Sequence, residues 1–217
     1  MRKRTVLTLV LAGLAAAMLT ACGGGGEAAE SEFDSTDAAK TALNQAQTIY
    51  IEGDNEAVTQ KSDILADDKV AAHLDGWTVS INGETWFRID FVTDEWINED
   101  GEDYSAGNTY GYYDADGKCF GYAQNRGYTL ADGEYTYNYY FMDAEGNLKS
   151  YYIDENGREA FDDEGNVIAT AEWDADFKLS LSGGDFHIQI DKAEGAAIDM
   201  DFTDKMVMYI RLFNENR

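Results

Sequence analysis

The chain of 217 residues is strongly acidic: it has 42 aspartate and glutamate residues but only 16 lysine and arginine residues, and its formal net charge is −26. This balance excludes nucleic acid as a partner, because phosphate binding requires clustered cations. It also excludes flat adsorption onto anionic lipid, which would repel the domain.

The first 22 residues have the layout of a secretory signal. Three basic residues at 2–4 precede a short apolar run at 5–14, and small residues follow. The run is too short, and has the wrong flanks, for a membrane-spanning helix. It leads to Leu19-Thr20-Ala21-Cys22, which resembles the lipobox of bacterial lipoproteins.

The resemblance implies a lipid-anchored protein on the extracytoplasmic face of the cell membrane. A signal peptide at 1–21 would be removed, and the Cys22 thiol would carry a diacylglyceryl group that anchors the chain in the lipid bilayer. Two acyl chains hold far more firmly than one. Residues 22–33 include Gly23–Gly26 and are expected to form a flexible tether. The alternative is an ordinary signal peptide with an incidental cysteine, and the host's envelope type stays open.

Residues 34–217 are predicted to form a single globular domain. Their number allows a core without disulfides. With Cys22 assigned to lipid, Cys119 has no intrachain partner. A lone thiol of this kind is more often a buried small hydrophobe than a reactive group. We expect no cofactor.

Residues 34–76 are predicted to be helical. A first helix at 34–52 has Ser35 or Thr36 as its cap, with apolar residues at helical spacing. A second helix at 62–76 has apolar residues that can share one face, and it ends at a glycine.

Residues 77–217 are predicted to be β-rich. Apolar and polar residues alternate on both sides of Asn82-Gly83, which is the strongest short signal for a hairpin. The same alternation returns at 177–182, 186–190 and 198–202. The final KMVMYIRLF lacks it and is either a strand buried on both faces or a short helix; we favour the strand.

The middle of the chain is rich in tyrosine and in acidic turns. Twelve of the fourteen tyrosines lie between Tyr104 and Tyr152. Five acidic glycine turns interrupt this part of the chain and its continuation, at 114–117, 131–133, 143–146, 154–157 and 162–165. Short strands joined by tight turns form a meander.

The order of these elements predicts an α+β fold. Two N-terminal helices would pack on a largely antiparallel, meandering β-sheet. The alternative is an all-β sandwich with appended helices.

The acidic turns also raise the question of calcium. An EF-hand loop needs an aspartate five residues before its glycine. Tyr112 stands at that position before Gly117, and Tyr152 stands there before Gly157. We therefore expect ordinary hairpin turns and no metal site, with weak cation binding between neighbouring turns left open.

The candidate ligand-binding residues are Tyr139, Tyr140, Tyr151 and Tyr152. Their stretches, YYFMDAEGN and YYIDENGR, resemble the aromatic hairpin repeats of Gram-positive cell-wall-binding modules, whose stacked rings hold choline or glycan. The two units here start twelve residues apart and contain no tryptophan. Tyrosine rings on a wet strand face would stack on sugars or cations. The alternative is that the rings only pack across strands.

Motifs of catalysis are absent: there is no HExxH, no GxSxG, no Walker A loop and no GxGxxG after a strand. His73, expected at the surface of the second helix, is far in sequence from His187, expected on a wet strand face. We therefore predict a non-catalytic binding or interaction module at the cell envelope, with a glycan or a basic partner as its ligand. The alternative is an extracytoplasmic hydrolase that acts on envelope material.

Overall fold

The computed structural model describes residues 30–54, 61–92, 105–173 and 185–215, which form twelve strands and two helices. In chain order these are α1 (Thr36–Gln45), β1 (Thr48–Asp54), β2 (Lys61–Ala66), β3 (Lys69–Asp75), β4 (Thr78–Ile81), β5 (Glu84–Val92), β6 (Ser105–Asp114), β7 (Cys119–Thr129), β8 (Tyr135–Asp143), β9 (Leu148–Ile153), β10 (Glu159–Asp162), β11 (Val167–Trp173), β12 (Asp185–Lys192) and α2 (Phe202–Glu215).

The twelve strands form one closed antiparallel barrel. Each strand pairs with the next along the chain, and β12 pairs with β1. At the closure, Ile51 of β1 lies opposite Ile64 of β2 and Ile188 of β12. Closure leaves no edge strand exposed. The predicted α+β fold, with two N-terminal helices packed on a sheet, is therefore wrong, and so is the sandwich; the antiparallel meander is confirmed.

Helix α2 lies inside the barrel. It reaches widely separated strands: Phe202 stacks on Trp86 of β5 with 5.2 Å between ring centroids, and Tyr209 packs on Phe186 of β12 at 6.5 Å. Residues 204–210 are all buried, so the helix is covered on every side. A helix is about 10–12 Å across, and a barrel of twelve strands is wide enough to enclose one.

The barrel wall alternates between an inner and an outer face. In β12, Phe186, Ile188 and Ile190 are buried, whereas His187 and Gln189 between them are half-buried. This confirms the alternation predicted at 186–190, with His187 on the outer face. Inward-facing positions of other strands are often alanine, which leaves room for α2.

The first predicted helix is confirmed in its first part only. Ser35 caps α1 by accepting a hydrogen bond from the Ala38 N–H at 3.2 Å. Residues 48–52, predicted as its last turn, belong instead to β1. Ile49 and Ile51 are buried between two neighbouring strands, so the barrel's pairing outweighs the helical spacing there.

The second predicted helix, at 62–76, is wrong: these residues form the hairpin of β2 and β3. Asp67 makes the tight turn with φ 56°. A β-bulge at Ile64 and Leu65 shifts the register, so that both Ala71 and Ala72 are buried. The bulge breaks strict alternation and produces apolar neighbours that resemble a helical face.

Two predictions near the C terminus also fail. Residues 198–202 were expected to be a strand, but they lead into α2. KMVMYIRLF was expected to be a strand, but it is the core of α2. Its apolar run arises because the helix is enclosed on all sides. The predicted strand at 177–182 lies outside the described residues.

The predicted turns are confirmed. Asn82 and Gly83 have φ of 53° and 79°, as the two-residue hairpin turn between β4 and β5 requires. In the acidic turns the first aspartate accepts backbone N–H groups: Asp143 Oδ1 accepts from Glu145 at 3.0 Å and from Asn147 at 2.9 Å.

Candidate functional site

The alternation of the barrel wall separates the four candidate tyrosines into two pairs. Tyr139 of β8 and Tyr151 of β9 face the lumen and are each 5% exposed. Tyr140 and Tyr152, their neighbours in sequence, are half-buried on the outer wall. Only the outer pair is available to a ligand outside the barrel.

The inner pair belongs to the packing around α2. The Tyr151 hydroxyl donates a hydrogen bond to Asp204 Oδ2 of α2 at 2.5 Å, and its ring packs on Phe141 at 5.5 Å. Burial raises the pKa of Tyr151 well above its usual value, and the negative charge of Asp204 raises that pKa further. Burial likewise raises the pKa of Tyr139 to about 12. These phenols stay neutral inside the folded barrel.

Asp204 is a charged residue buried at the start of α2, with no exposed surface. Its Oδ2 accepts a hydrogen bond from Lys149 Nζ of β9 at 2.8 Å, and Lys149 also pairs with Asp201. Burial raises the pKa of Asp204. Burial acts to lower the pKa of Lys149, but the two carboxylates outweigh it, and that pKa is raised. The ion pair ties α2 to the barrel wall.

The other end of α2 is held by Arg211. Its Nε donates to the Glu155 carbonyl at 2.9 Å, and its guanidinium hydrogen-bonds the Tyr137 hydroxyl. A Cβ on Gly157 would lie 2.6 Å from the Arg211 side chain, so this turn has room for the arginine only because it carries a glycine. Both ends of α2 are therefore fixed to the wall by polar contacts.

On the outer wall, four side chains form a continuous stack across β7 to β10, which we name the aromatic strip: Arg126, Tyr140, Tyr152 and Phe161. The Arg126 guanidinium lies 5.5 Å from the Tyr140 ring centroid. Tyr140 and Tyr152 stack at 5.5 Å and 28°, and Tyr152 and Phe161 at 5.6 Å and 25°. The residues of each ring pair lie directly opposite each other on neighbouring strands.

The stacking changes what the strip can offer a ligand. The ring faces are turned toward one another, so the ring edges and the phenol hydroxyls point outward. The predicted platform of open ring faces is therefore replaced by a row of edges and polar groups. Burial is the main reason that the pKa of Tyr152 is raised. The phenol is therefore protonated at neutral pH and donates hydrogen bonds.

Buried amides lie beneath and beside the strip. Gln124, which is 1% exposed, accepts from Arg126 Nε at 2.9 Å and donates to Thr109 Oγ1 at 3.2 Å. Asn138 Nδ2 donates to the Tyr128 hydroxyl at 2.8 Å. These bonds fix the positions of the strip's polar groups before any ligand arrives.

Charge is distributed unevenly around the barrel. Strands β7, β8 and β9 contain one acidic residue, Asp143, at the end of β8. The opposite wall carries a row in which Glu52 of β1 lies beside Asp63 of β2. The aromatic strip therefore begins on three strands that hold a single carboxylate and ends on β10, where Glu159 is exposed and Asp162 follows Phe161.

A histidine lies at each end of the acidic row. His187 Nδ1 lies 2.8 Å from Glu52 Oε1, and His73 Nδ1 lies 2.7 Å from Asp63 Oδ1. The register places His187, Glu52, Asp63 and His73 in that order across β12, β1, β2 and β3. The sequence alone did not indicate this row, because it depends on the pairing of β1 with both β12 and β2.

Neither the acidic row nor the turns form a metal centre in the part of the chain that the structure describes: no group of three or more His, Cys, Asp or Glu side chains is arranged to hold an ion. In the turns, hydrogen bonds from Asn147 and Asn166 lower the pKa of Asp143 and Asp162 respectively. These carboxylates are committed to their own backbone. Cys119, which is half-buried, donates to the Gly121 carbonyl at 3.3 Å.

Comparison with known proteins gives no relative: no protein-family model, no curated protein and no solved structure matches the chain. In the described ranges, no helix is both long enough and apolar enough to cross a membrane. The lipobox and Cys22 lie outside the described residues.

Proposed function

We propose that this protein is a lipid-anchored, extracytoplasmic binding module without catalytic activity, and that its aromatic strip contacts a glycan. The observation that carries the proposal is the strip itself. It is an ordered row of stacked rings, phenol hydroxyls and a guanidinium on the outer wall of β7 to β10. Sugars are rich in hydroxyl groups, which complement the phenol hydroxyls and the guanidinium of such a row.

The chemistry of this wall favours a glycan over the other candidate ligands. A basic partner would be drawn to the acidic row, because Glu52 and Asp63 lie side by side there. A protein partner with an apolar interface would need exposed hydrophobic residues near the centre of the strip. Among the described residues, the large exposed ones lie at strand ends: Phe91, Phe120, Leu130, Tyr135 and Leu148.

The hydrolase alternative is not proposed. Among the described ion pairs, the carboxylates of Asp201 and Asp204 share one group, Lys149 Nζ. Asp204 has no exposed surface, so a substrate cannot reach it. The acidic row is on the outer wall, where the side chains of Glu52 and Asp63 are 46% and 51% exposed, so water reaches both carboxylates.

The proposed lipid anchor would leave the aromatic strip accessible to a ligand. The Ser31 N–H donates to Asn82 Oδ1 at 2.9 Å, and the Glu32 N–H to the Val70 carbonyl at 2.9 Å. The chain therefore joins the barrel at the end that carries the β2–β3 and β4–β5 turns. The strip is on the side wall, where a tether attached at one end does not cover it.

Glycan binding is tested with two soluble probes: oligomers of N-acetylglucosamine, and glycan strands of peptidoglycan freed of their peptides. The lipidated chain is held in a detergent without a sugar headgroup, and affinity is measured by calorimetry. We expect the double variant Tyr140→Ala/Tyr152→Ala to bind at least about tenfold more weakly, because each lost ring contact is worth about 1 kcal/mol.

The matched control is Tyr50→Ala/Tyr113→Ala, which removes two outward tyrosines on other strands. Tyr50 packs on His187 at 5.1 Å, and Tyr113 packs on Arg88 at 5.1 Å. This control is expected to bind like the wild type. Equal affinity of the wild type and the strip variant for both probes would refute the proposed function.

The anchor is tested separately with Cys22→Ser. We expect labelled palmitate on the wild-type chain and none on the variant, which should leave the membrane fraction. A variant that stays in that fraction after washing in high salt would contradict lipid anchoring.

A further inference from the structure

We infer that the aromatic strip takes an extended, linear, 1,4-linked glycan that lies across the strands, with one sugar over each ring. The inference rests on the proposed function, because it names the class of glycan that the same surface binds and the direction in which that glycan lies. Its basis is the register, the spacing and the two ends of the row of rings formed by Tyr140, Tyr152 and Phe161, which we name the ring ladder.

The three rings of the ladder occupy one register position on three neighbouring strands. Tyr140 of β8 lies directly opposite Tyr152 of β9, and Tyr152 lies directly opposite Phe161 of β10. Residues that lie directly opposite one another form a row that crosses the strands. The ladder therefore defines one direction, across the barrel wall, along which a ligand meets successive rings.

The spacing of the ladder is regular. The ring centroids are 5.5 Å apart between Tyr140 and Tyr152 and 5.6 Å apart between Tyr152 and Phe161. Both distances are slightly longer than the separation of neighbouring strands, which is about 4.8 Å. In an extended chain of 1,4-linked pyranoses, each sugar advances the chain by a similar distance. Such a chain, laid along the ladder, places successive sugars over successive rings.

A ligand that followed one strand would meet a single ring. Residues two positions apart on a strand face the same side of the wall. For Tyr140 these residues are Asn138 and Met142, and for Tyr152 the residue of this kind within β9 is Ser150. None of the three has a ring. A ligand must therefore cross the strands to contact the whole ladder.

The ladder has a defined end on each side. On the β7 side, the position opposite Tyr140 is occupied by Gln124, which is 1% exposed. On the β11 side, the position opposite Phe161 is occupied by Val167, which is half-buried and has no ring. The ladder therefore matches three consecutive sugars, and a fourth sugar would meet no further ring.

The first test varies the length of the glycan. Soluble β-1,4-linked oligomers of N-acetylglucosamine with two to five sugars are titrated into the lipidated full chain, in a detergent without a sugar headgroup. We expect affinity to rise about fivefold from the dimer to the trimer, because one more ring is contacted. We expect no further rise of this size from the trimer to the pentamer. Equal affinity for the dimer and the trimer, or a rise that continues beyond the trimer, would overturn the inference.

The second test uses the position of each ring in the ladder. Tyr140→Ala and Phe161→Ala each remove an end ring and leave one pair of neighbouring rings. The trimer should therefore bind about fivefold more weakly to these variants, whereas the dimer should bind nearly as well as it does to the wild type. Tyr152→Ala removes the middle ring and leaves no such pair, so the dimer should bind about fivefold more weakly as well.

Val167→Ala is the matched control for Phe161→Ala. It shortens an outward side chain one strand beyond the ladder, and the trimer should bind it like the wild type. If Phe161→Ala leaves the affinity for the trimer unchanged, or weakens the dimer as much as Tyr152→Ala does, the rings do not contact successive sugars. Each variant is compared under conditions in which urea unfolding shows it to be fully folded.

The third test changes the linkage and keeps the sugar. A β-1,6-linked trimer of N-acetylglucosamine has an additional rotatable bond at each linkage, so its sugars are not held at a fixed repeat. We expect it to bind about fivefold more weakly than the β-1,4-linked trimer, because this freedom is lost on binding. Equal affinity for the two trimers would overturn the requirement for an extended chain.

The outcomes separate this inference from the proposed function. If Tyr140→Ala/Tyr152→Ala leaves the affinity for every glycan unchanged, the proposed function fails and this inference fails with it. If that double variant weakens binding, but length, ring position and linkage have no effect, glycan binding by the strip stands and this inference is overturned. A wild type that binds peptidoglycan strands but no oligomer of N-acetylglucosamine would also overturn it.

Discussion

Tyr151 and Tyr152 are neighbours in sequence and identical in chemistry, yet they occupy opposite sides of the barrel wall. Tyr151 is 5% exposed and hydrogen-bonded to a buried carboxylate of α2. Tyr152 is stacked between Tyr140 and Phe161 on the outer surface. The same holds for Tyr139 and Tyr140 on β8. One member of each pair stabilises the core, and the other is available for binding.

The difference teaches that a tyrosine-rich stretch on a barrel strand serves two purposes in alternate positions. Inside, a phenol fills space beside the helix and satisfies a buried polar atom. Outside, the same side chain stacks with its cross-strand neighbours and presents a hydroxyl to solvent. We expect substitutions of the inner tyrosines to lower the free energy of unfolding, and substitutions of the outer tyrosines to lower ligand affinity. The following experiments separate the two effects.

The largest effect is expected from Tyr151→Ala compared with Tyr152→Ala. Removing the inner ring leaves a cavity beside α2 and should lower the free energy of unfolding by about 3–5 kcal/mol. Removing the outer ring loses cross-strand contacts, which are worth about 1 kcal/mol. Urea unfolding at neutral pH measures both. Equal losses for the two variants would mean that the inner and outer faces are wrongly assigned.

The next largest effect is expected from Lys149→Ala. It leaves the Asp204 carboxylate buried without its cation and should cost about 3 kcal/mol of unfolding free energy. The double variant Lys149→Met/Asp204→Leu replaces the whole pair by apolar groups and should recover most of that loss. If the double variant is as unstable as Lys149→Ala, the loss in Lys149→Ala does not come from leaving the Asp204 carboxylate buried without its cation.

High pH is expected to act on the inner phenols. Burial raises the folded-state pKa of Tyr139 to about 12, and it raises the pKa values of Tyr112 and Tyr151 well above their usual range. A phenol whose pKa is raised in the folded state contributes its full stability below pH 10, where it is protonated in both states. This contribution is lost as the pH rises from the unfolded-state pKa toward the folded-state pKa, because the unfolded chain then releases the proton more readily. Above pH 10 the unfolding free energy should therefore fall by about 1.4 kcal/mol per pH unit for each such group.

Absorbance at 295 nm during an alkaline titration, with urea unfolding at each pH, measures this effect. The inner phenols should ionise only as the barrel unfolds, whereas exposed tyrosines should titrate first and reversibly. Tyr139→Phe is the control, since it should reduce the slope of unfolding free energy against pH by the contribution of one phenol. Ionisation of all tyrosines in one step near pH 10, with the fold intact, would exclude a buried inner set.

The smallest effect on stability is expected from replacing two glycines that lie in similar acidic turns. Helix α2 contacts one of these turns and not the other. Gly157 has φ 70° and lies against Arg211, whereas Gly165 has φ 82° and no neighbour within 4 Å. Alanine at either position is strained by about 1 kcal/mol. Gly157→Ala should cost about 1 kcal/mol more, because Arg211 must move. Identical thermal midpoints for the two variants would show that this turn does not constrain α2.

Local patterns in the sequence were sufficient for the turns and for much of the meander. Asn82-Gly83 and the acidic turns were predicted correctly because left-handed backbone and aspartate-to-backbone bonds depend on a few adjacent residues. The alternation at 186–190 was equally local. The candidate tyrosines were located in this way too, but which of them face outward depended on register.

The failures share a different cause. Apolar runs are ambiguous when burial comes from several sides, as in α2, where 204–210 are enclosed by the barrel. The bulge at Ile64 and Leu65 made a hairpin resemble a helix. The partners of Asp204, which are Lys149 and Tyr151, lie on β9, so nothing near Asp204 in the chain indicates its role.

By itself the sequence determined the strong acidity, the tight turns and the antiparallel order of the central strands, and it carries the resemblance of residues 19–22 to a lipobox, from which the lipid anchor is proposed. Each of these depends on composition or on residues a few positions apart. Only the tertiary structure decided that the sheet closes, that the C-terminal helix fills it, and that Tyr140 and Tyr152 lie on its outer wall. Those outcomes depend on pairing between β1 and β12, whose residues are close together only once the barrel has formed.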